Sequence, residues 1–271
     1  MDPASGKKFI DATVGGGGHT LELVKRGGEV LGIDRDPEAI NYLKNQLPIN
    51  DKLVLAQGNF SNIQEIASHE GFRGVDGILF DLGVSSHQLE NAKRGFSFQL
   101  EGPLDMRMDP NLAIKAYDIV NNFEKRRLNE IFETYGQEKF SWRIAGAICS
   151  ARQIKPIQTT SELTQIIEEA VPGKRGKIAK ATRSFQALRI VVNSELLNLE
   201  QALPQTVDLL KIGGRLAIIS FHSLEDAIVK RFFKQEKRLK VLTKKPIGPK
   251  IFEIVKNPRS RSAKLRIAER V

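Results

Sequence analysis

Short apolar runs separated by stretches of helical period fill the first third of the chain. Residues 8–12, Glu29–Asp34, Leu53–Gln57 and 75–82 each read as a strand, the last with the apolar middle Gly77-Ile78-Leu79-Phe80. Between them, residues 19–26 read as a helix stopped by Gly27 and Gly28. Pro37–Gln46 reads as a helix with proline in its first turn, and Ile63–His69 as a short helix. Strands separated by helices predict a parallel, doubly wound α/β sheet.

From about Glu101 to Arg183 the alternation stops and the pattern is helical or irregular. Thr159 and Glu162 have the spacing of a capping box, and Leu163, Ile166, Ile167 and Ala170 follow on one helix face until Pro172-Gly173. The sheet pattern then resumes. Residues 184–203 read as one long helix with Pro204 as an expected kink, and Gly213-Gly214 as a turn. Residues 215–220 read as a strand, and 241–246 with 265–271 as a closing antiparallel pair. The expected organisation is an α/β domain of residues 1–100 and 184–271, interrupted by a helical domain of residues 101–183. Trp142 and Phe140 are expected in the core of that insertion.

Composition adds three constraints. No apolar run approaches the roughly 20 residues that span a bilayer. Residues 1–8 lack the apolar core of a signal peptide, so a cytoplasmic protein is expected. The single cysteine, Cys149, excludes an internal disulfide and a cysteine-based zinc site, and with four histidines no metal centre is expected. The net charge of +10 is unevenly placed. Residues 228–271 hold fifteen Lys and Arg against three Asp and Glu, leaving the first 227 residues at −2. A basic tail on a near-neutral body suits a polyanionic partner, or serves only as a solvated surface.

The segment Asp11-Ala-Thr-Val-Gly15-Gly16-Gly17-Gly18-His19-Thr20 lies between the first strand and the first helix. Glycines there let the backbone turn sharply and approach a ligand, and the helix N-terminus behind them favours negative charge. Asp34 ends the next strand, where a carboxylate accepts hydrogen bonds from ribose hydroxyls. A plain turn, a dinucleotide site and an S-adenosylmethionine site all place glycine here. The dinucleotide pattern wants a third glycine where this chain has Thr20. S-adenosylmethionine has no pyrophosphate and does not need that glycine, and an acid at the head of the loop, here Asp11, suits it.

Asp81 closes the fourth strand, and ligands of open α/β sheets sit at the carboxyl ends of strands. A carboxylate accepting the N–H bonds of an exocyclic amine favours the geometry that frees the lone pair, and can take up the proton after transfer. The alternative for Asp81 is a turn cap. The Asp/Asn-Pro-Pro-aromatic sequence of many amino-methyltransferases is absent.

Several longer strings narrow the choice. They are residues 11–20, Gly32-Ile-Asp-Arg-Asp-Pro37, Phe80-Asp-Leu-Gly-Val-Ser-Ser-His-Gln-Leu89, Arg94-Gly-Phe-Ser-Phe98, Gly102-Pro-Leu-Asp-Met-Arg-Met-Asp109, Thr182-Arg-Ser-Phe-Gln-Ala-Leu-Arg-Ile190, Ser220-Phe-His-Ser-Leu-Glu-Asp226 and Asn257-Pro-Arg-Ser-Arg-Ser-Ala-Lys-Leu-Arg266. Together they closely resemble the RsmH (MraW) family, the cytosine-N4 methyltransferases of bacterial 16S ribosomal RNA. The resemblance implies a Rossmann-like class I methyltransferase sheet with an inserted helical substrate-recognition domain. It also implies S-adenosyl-L-methionine as cofactor and small-subunit ribosomal RNA, or the assembled small subunit, as partner. Carried over by position, the cofactor contacts are Gly16, Gly17, Gly18, His19, Asp34, Phe60, Asp81 and Gln88, with Asp81 also catalytic. The family has a longer segment ahead of its first strand than residues 1–8 provide, and one wall of the cofactor pocket is expected from it.

Asp105, Arg107 and Asp109 alternate with Met106 and Met108, either as a salt-bridged stretch or as contacts to the target base. His222 lies in the loop after the fifth strand, as a structural histidine or a base contact. Lys174, Arg175, Lys177, Lys180 and Arg183 form a basic run suited to RNA phosphates or to solvent. Beside the enzyme stands a second reading, a catalytically weak RNA-binding or ribosome-assembly protein on the same fold. A dehydrogenase is more distant.

Overall fold

The four apolar runs of the first third become parallel strands. Those at Lys8–Asp11, Glu29–Asp34 and Val75–Asp81 are buried along most of their length, as strands covered by helices on both faces must be, while the one at Leu53–Gln57 lies at the edge and is mostly half-buried. A computed structural model describes residues 1–46, 52–173 and 179–271. In chain order the elements are β1 (Lys8–Asp11), α1 (Gly18–Lys25), β2 (Glu29–Asp34), α2 (Pro37–Gln46), β3 (Leu53–Gln57), α3 (Ile63–His69) and β4 (Val75–Asp81). There follow α4 (Ser86–Glu90), α5 (Ala116–Asn122), α6 (Lys125–Thr134), α7 (Ser141–Ile154), α8 (Thr160–Ala170) and α9 (Thr182–Asn193). The last are α10 (Glu195–Leu209), β5 (Leu210–Ser220), α11 (Ser223–Gln235), β6 (Leu239–Val241), α12 (Ile251–Lys256) and β7 (Lys264–Arg270).

The chain divides into two units. The first comprises residues 1–83 and 196–271. Its sheet runs β3-β2-β1-β4-β5-β7-β6, with β7 antiparallel to both neighbours. From β1 the chain builds outward to β2 and β3, and only then returns to place β4 on the other side of β1. The order of strands therefore reverses between β1 and β4, which makes the carboxyl ends of these strands the switch point where such sheets bind ligands. One face of the sheet, including Ile10, Ile33, Ile78, Phe80 and Ile218, packs with Ile63 of α3, Leu203 and Val207 of α10, and Val229 and Phe233 of α11. The other face meets α1 through Phe9, Val30 and Leu23, and α2 through Val14, Ile40 and Leu43.

The second unit spans residues 84–195, wider at both ends than the expected 101–183. The reason is burial. Phe96, Phe185, Leu188 and Val192 belong to the same core as Leu128, Phe132, Ile144 and Leu163. Phe98 meets Phe185 edge-on with ring centroids 5.7 Å apart. The ends are also sewn together: Asn193 donates to the Met106 carbonyl at 2.7 Å and accepts from the Met108 N–H at 2.8 Å. The capping box forms as read, Thr159 Oγ1 accepting from the Glu162 N–H at 3.2 Å.

Two further expectations are corrected. The single helix of residues 184–203 is broken at Ser194, whose φ of 49° caps α9 before α10 begins. Pro204 lies inside α10. Trp142 and Phe140 do not fill the core: they are 55% and 37% exposed, and Lys125 Nζ sits 4.3 Å from the Trp142 ring centroid. Ile144, Ala145 and Ile148 take the inward face of α7 instead.

Candidate active site

Three carboxylates stand at the carboxyl ends of the strands around the switch point: Asp11 on β1, Asp34 on β2 and Asp81 on β4. The glycine loop threads between them. Ala12 N donates to the Leu79 carbonyl and Val14 N to the Ile33 carbonyl, each at 2.9 Å, so the loop stays in register with β4 and β2 after β1 ends.

Asp11 anchors the loop from beneath. Its oxygens accept from Thr20 Oγ1 at 2.7 Å and from the Thr13 N–H at 3.2 Å. It is completely buried, and that burial raises its pKa to about 6. The folded state therefore binds the Asp11 proton more tightly than the unfolded chain does. Asp11 contributes stability that is present below its ordinary pKa near 3.8 and is lost as pH rises through about 6. Asp11→Asn should consequently gain stability relative to the unmodified protein between pH 4 and pH 7, approximate bounds set by those two values. Thermal melts of both proteins across that interval are the check, and a constant difference would reject the assignment.

Asp34 holds the loop from the side, accepting from the Gly15 N–H at 2.8 Å and the Asp36 N–H at 2.9 Å. Burial raises its pKa against the pull of these two bonds. Gly17, with φ of 81°, precedes α1 in a conformation that glycine adopts freely; a Cβ there would also lie 2.6 Å from Leu43 Cδ2. At Gly16 and Gly18 a Cβ would meet nothing within 4 Å, so the backbone at the start of α1 faces open space.

Asp81 and His19 meet across the loop, Nε2 lying 3.3 Å from Oδ2. The hydrogen bond to Asp81 raises the pKa of His19 above its ordinary value. The other carboxylate oxygen, Asp81 Oδ1, is buried with no hydrogen-bond partner among the described residues. The Asp81 N–H donates to Thr13 Oγ1 at 2.6 Å, which ties the end of β4 to the loop after β1. Sequence reasoning missed Thr13 and Thr20. The signal was present, since both are hydroxyl residues flanking an acid-headed glycine run. Phe60 opens a 3-10 turn after β3, half-buried, with its ring edge-on to Phe80 at 5.5 Å.

Most of the remaining candidates are engaged locally, within their own units. Gln88 belongs to the second unit, where its Oε1 accepts from the Ser85 N–H at 3.0 Å to close the capping box of α4. Asp105 and Arg107, in the same unit, form a two-bond ion pair at 2.8 Å. The same guanidinium donates to the Pro110 and Leu112 carbonyls, so it clamps its own loop. Asp109 accepts from the Asn111 N–H at 2.9 Å. In the first unit, His222 caps α11: Nδ1 accepts from the Glu225 N–H at 3.4 Å, and Nε2 lies 3.2 Å from Glu225 Oε1. Lys174, Arg175 and Lys177 lie outside the described residues. Lys180 donates to the Glu168 and Val171 carbonyls at the end of α8, and Arg183 to the Gln137 carbonyl. No helix among the described residues is long and apolar enough to cross a membrane.

A seven-stranded sheet of this order, with a glycine loop after β1 and acids at the switch point, is the fold of class I S-adenosylmethionine-dependent methyltransferases. The profile of the MraW methylase family matches residues 1–271. The chain is 48% identical to ribosomal RNA small subunit methyltransferase H of Halothermothrix orenii, over 97% of its own length and 92% of that protein. It is 46% identical to the protein of the same name from Carboxydothermus hydrogenoformans, over 98% and 93% of the two lengths. With that of Persephonella marina it shares 48% identity, again over 98% and 93%. The chain belongs to the MraW methylase family.

Proposed function

We propose that this protein transfers the methyl group of S-adenosyl-L-methionine to the exocyclic N4 amine of a cytidine in small-subunit ribosomal RNA, acting in the cytoplasm. The observation that carries the reading is Asp81. It ends β4 beside the glycine loop, with one oxygen against His19 and the other buried without a hydrogen-bond partner among the described residues. The names of the relatives supply the class of RNA.

The residues present fit the cofactor. Open space over Gly16 and Gly18 admits a ligand against the backbone at the start of α1. Among the described residues Asp81 Oδ1 is an unmet acceptor, which costs free energy until a donor arrives. Gly16, Gly17, Gly18 and His19 would hold the amino-acid part, Asp34 the ribose hydroxyls and Phe60 the adenine. When bound, the cofactor supplies an activated methyl group.

The rest is done by side chains. The N4 lone pair of cytosine is delocalised into the ring. Asp81 accepts an N–H bond of the amine and stabilises the pyramidal geometry in which the lone pair is free to attack. The proton released after transfer passes to the Asp81 carboxylate. His19 Nε2, 3.3 Å from Oδ2, donates to the other carboxylate oxygen and holds the carboxylate in place. To reach Asp81 the cytosine must leave its stack, and phosphate contacts fix the register of the surrounding strand.

Asp34→Ala should weaken cofactor binding by about 1–3 kcal/mol, through loss of charge-assisted hydrogen bonds and of the Gly15 anchor. Titration calorimetry with S-adenosyl-L-methionine tests it, and an unchanged affinity would remove Asp34 from the ribose site.

The direct test is incubation with labelled S-adenosyl-L-methionine and either free small-subunit RNA or small subunits from cells lacking the endogenous enzyme. Nucleoside mass spectrometry then identifies the product. N4-methylcytidine supports the proposal, and the substrate that accepts label separates naked RNA from the assembled subunit. RNA binding without cofactor binding or label would leave the ribosome-assembly reading.

A further inference from the structure

We propose that the surface arm of residues 240–262 is a clamp for single-stranded RNA, in which Phe252 stacks on an unpaired base while flanking lysines hold the phosphates. The proposal deepens the RNA reading above and rests on it.

The arm begins in β6 at the edge of the sheet and extends beyond it. Ile247 exchanges both backbone hydrogen bonds with Leu265 at 2.9 and 2.8 Å, and Thr243 Oγ1 accepts from the Ile267 N–H at 2.9 Å. On the far side, Ser260 is buried in a 3-10 turn that leads into β7. Both ends are therefore anchored on β7, and α12 is carried between them. α12 buries none of its residues: Ile251 is 82% exposed, Phe252 68% and Val255 74%. Helices of this length persist through packing rather than propensity, so a bare apolar face on α12 points to a partner that covers it.

Charge selects that partner. Residues 240–262 contain Lys240, Lys244, Lys245, Lys250, Lys256, Arg259 and Arg261, against the single acid Glu253. A second copy of the chain would bring the same cations face to face across a two-fold contact, and is disfavoured. Lys256 distinguishes RNA from an anionic lipid surface. Its Nζ sits 4.4 Å from the Phe252 ring centroid, on the side chain that a lipid-inserting helix would have to bury in hydrocarbon. A ring with a cation on it is instead suited to a base and its phosphate together.

The experiment measures binding of the full chain to a short labelled single-stranded RNA over a range of salt, alongside methylation of the small-subunit substrate. Phe252→Ala should weaken RNA binding by roughly tenfold, as loss of one stacked base does, without changing cofactor affinity or melting temperature. Replacing Lys240, Lys244 and Lys245 together by Gln should lower the slope of log affinity against log salt by about 2. If the unmodified protein neither binds RNA nor methylates it, the RNA reading itself has failed. If it does both and the two variants match it, the clamp alone is overturned. Loss by Phe252→Ala of binding to phosphatidylglycerol vesicles, or of a concentration-dependent dimer, with RNA affinity unchanged, would also overturn it and assign the arm to lipid or to a second copy.

Discussion

Asp81→Ala is expected to slow methyl transfer by about a hundredfold or more while RNA affinity stays unchanged. Removing a positioned proton acceptor typically costs a factor of about 10²–10⁴. The loss falls on turnover because Asp81 touches the reacting amine and not the bulk of the RNA. Alanine also removes the acceptor of His19 at 3.3 Å. The backbone should tolerate the change, since the Asp81 N–H keeps its bond to Thr13 Oγ1. Single-turnover methylation at saturating RNA separates the two quantities. Near-normal turnover would reject Asp81 as the catalytic carboxylate, and an equal loss of RNA binding would make it a structural residue.

The second large effect is on stability, and it comes from Gly95→Ala. Gly95 has φ of 69° and follows a 3-10 turn of residues 92–94. An added methyl group would overlap the carbonyl oxygen of Pro103, which belongs to backbone and cannot rotate away. The neighbourhood has little freedom to shift. Arg94 Nη2 donates to the Arg107 and Met108 carbonyls at 3.0 Å, and Phe96 is buried in the core of the second unit. Backbone strain and overpacking together should destabilise that unit by about 3 kcal/mol or more. Hydrogen exchange should show the loss of protection concentrated in residues 84–195, the span of that unit. Uniform loss across the chain would mean that the two units unfold together, and no loss would mean that the loop can rearrange.

Much of the first unit was legible because its physics is local. β2, α2, β3 and α3 have the bounds read from apolar runs, proline and glycine alone. The carboxylates Asp11, Asp34 and Asp81 were legible because a doubly wound sheet delivers the ends of its strands to one crevice, whatever lies between them in sequence. What escaped depends on contacts between distant residues. Ser194 carries no turn signature, and the break between α9 and α10 accompanies bonds from Asn193 to the backbone at Met106 and Met108. Trp142 reads as core by residue type, but α7 already has Ile144, Ala145 and Ile148 for its inward face. The partnership of Arg107 with Asp105 was one of two readings of an alternating stretch, and the carbonyls of Pro110 and Leu112 that complete it are silent in a pattern of side chains.

The placement of β7 has a consequence in time. It is the last strand in chain order, yet it fills the position between β5 and β6. During synthesis, residues 84–195 emerge as one continuous stretch and can fold while the rest is still being made. The sheet has no such option. Until the ribosome has released residues 264–270, β5 presents an unpaired edge, and open edges recruit strands from other chains. A ribosome stalled before residue 264 would hold a chain with a finished helical unit and a sheet whose β5 edge is still open to strands from other chains.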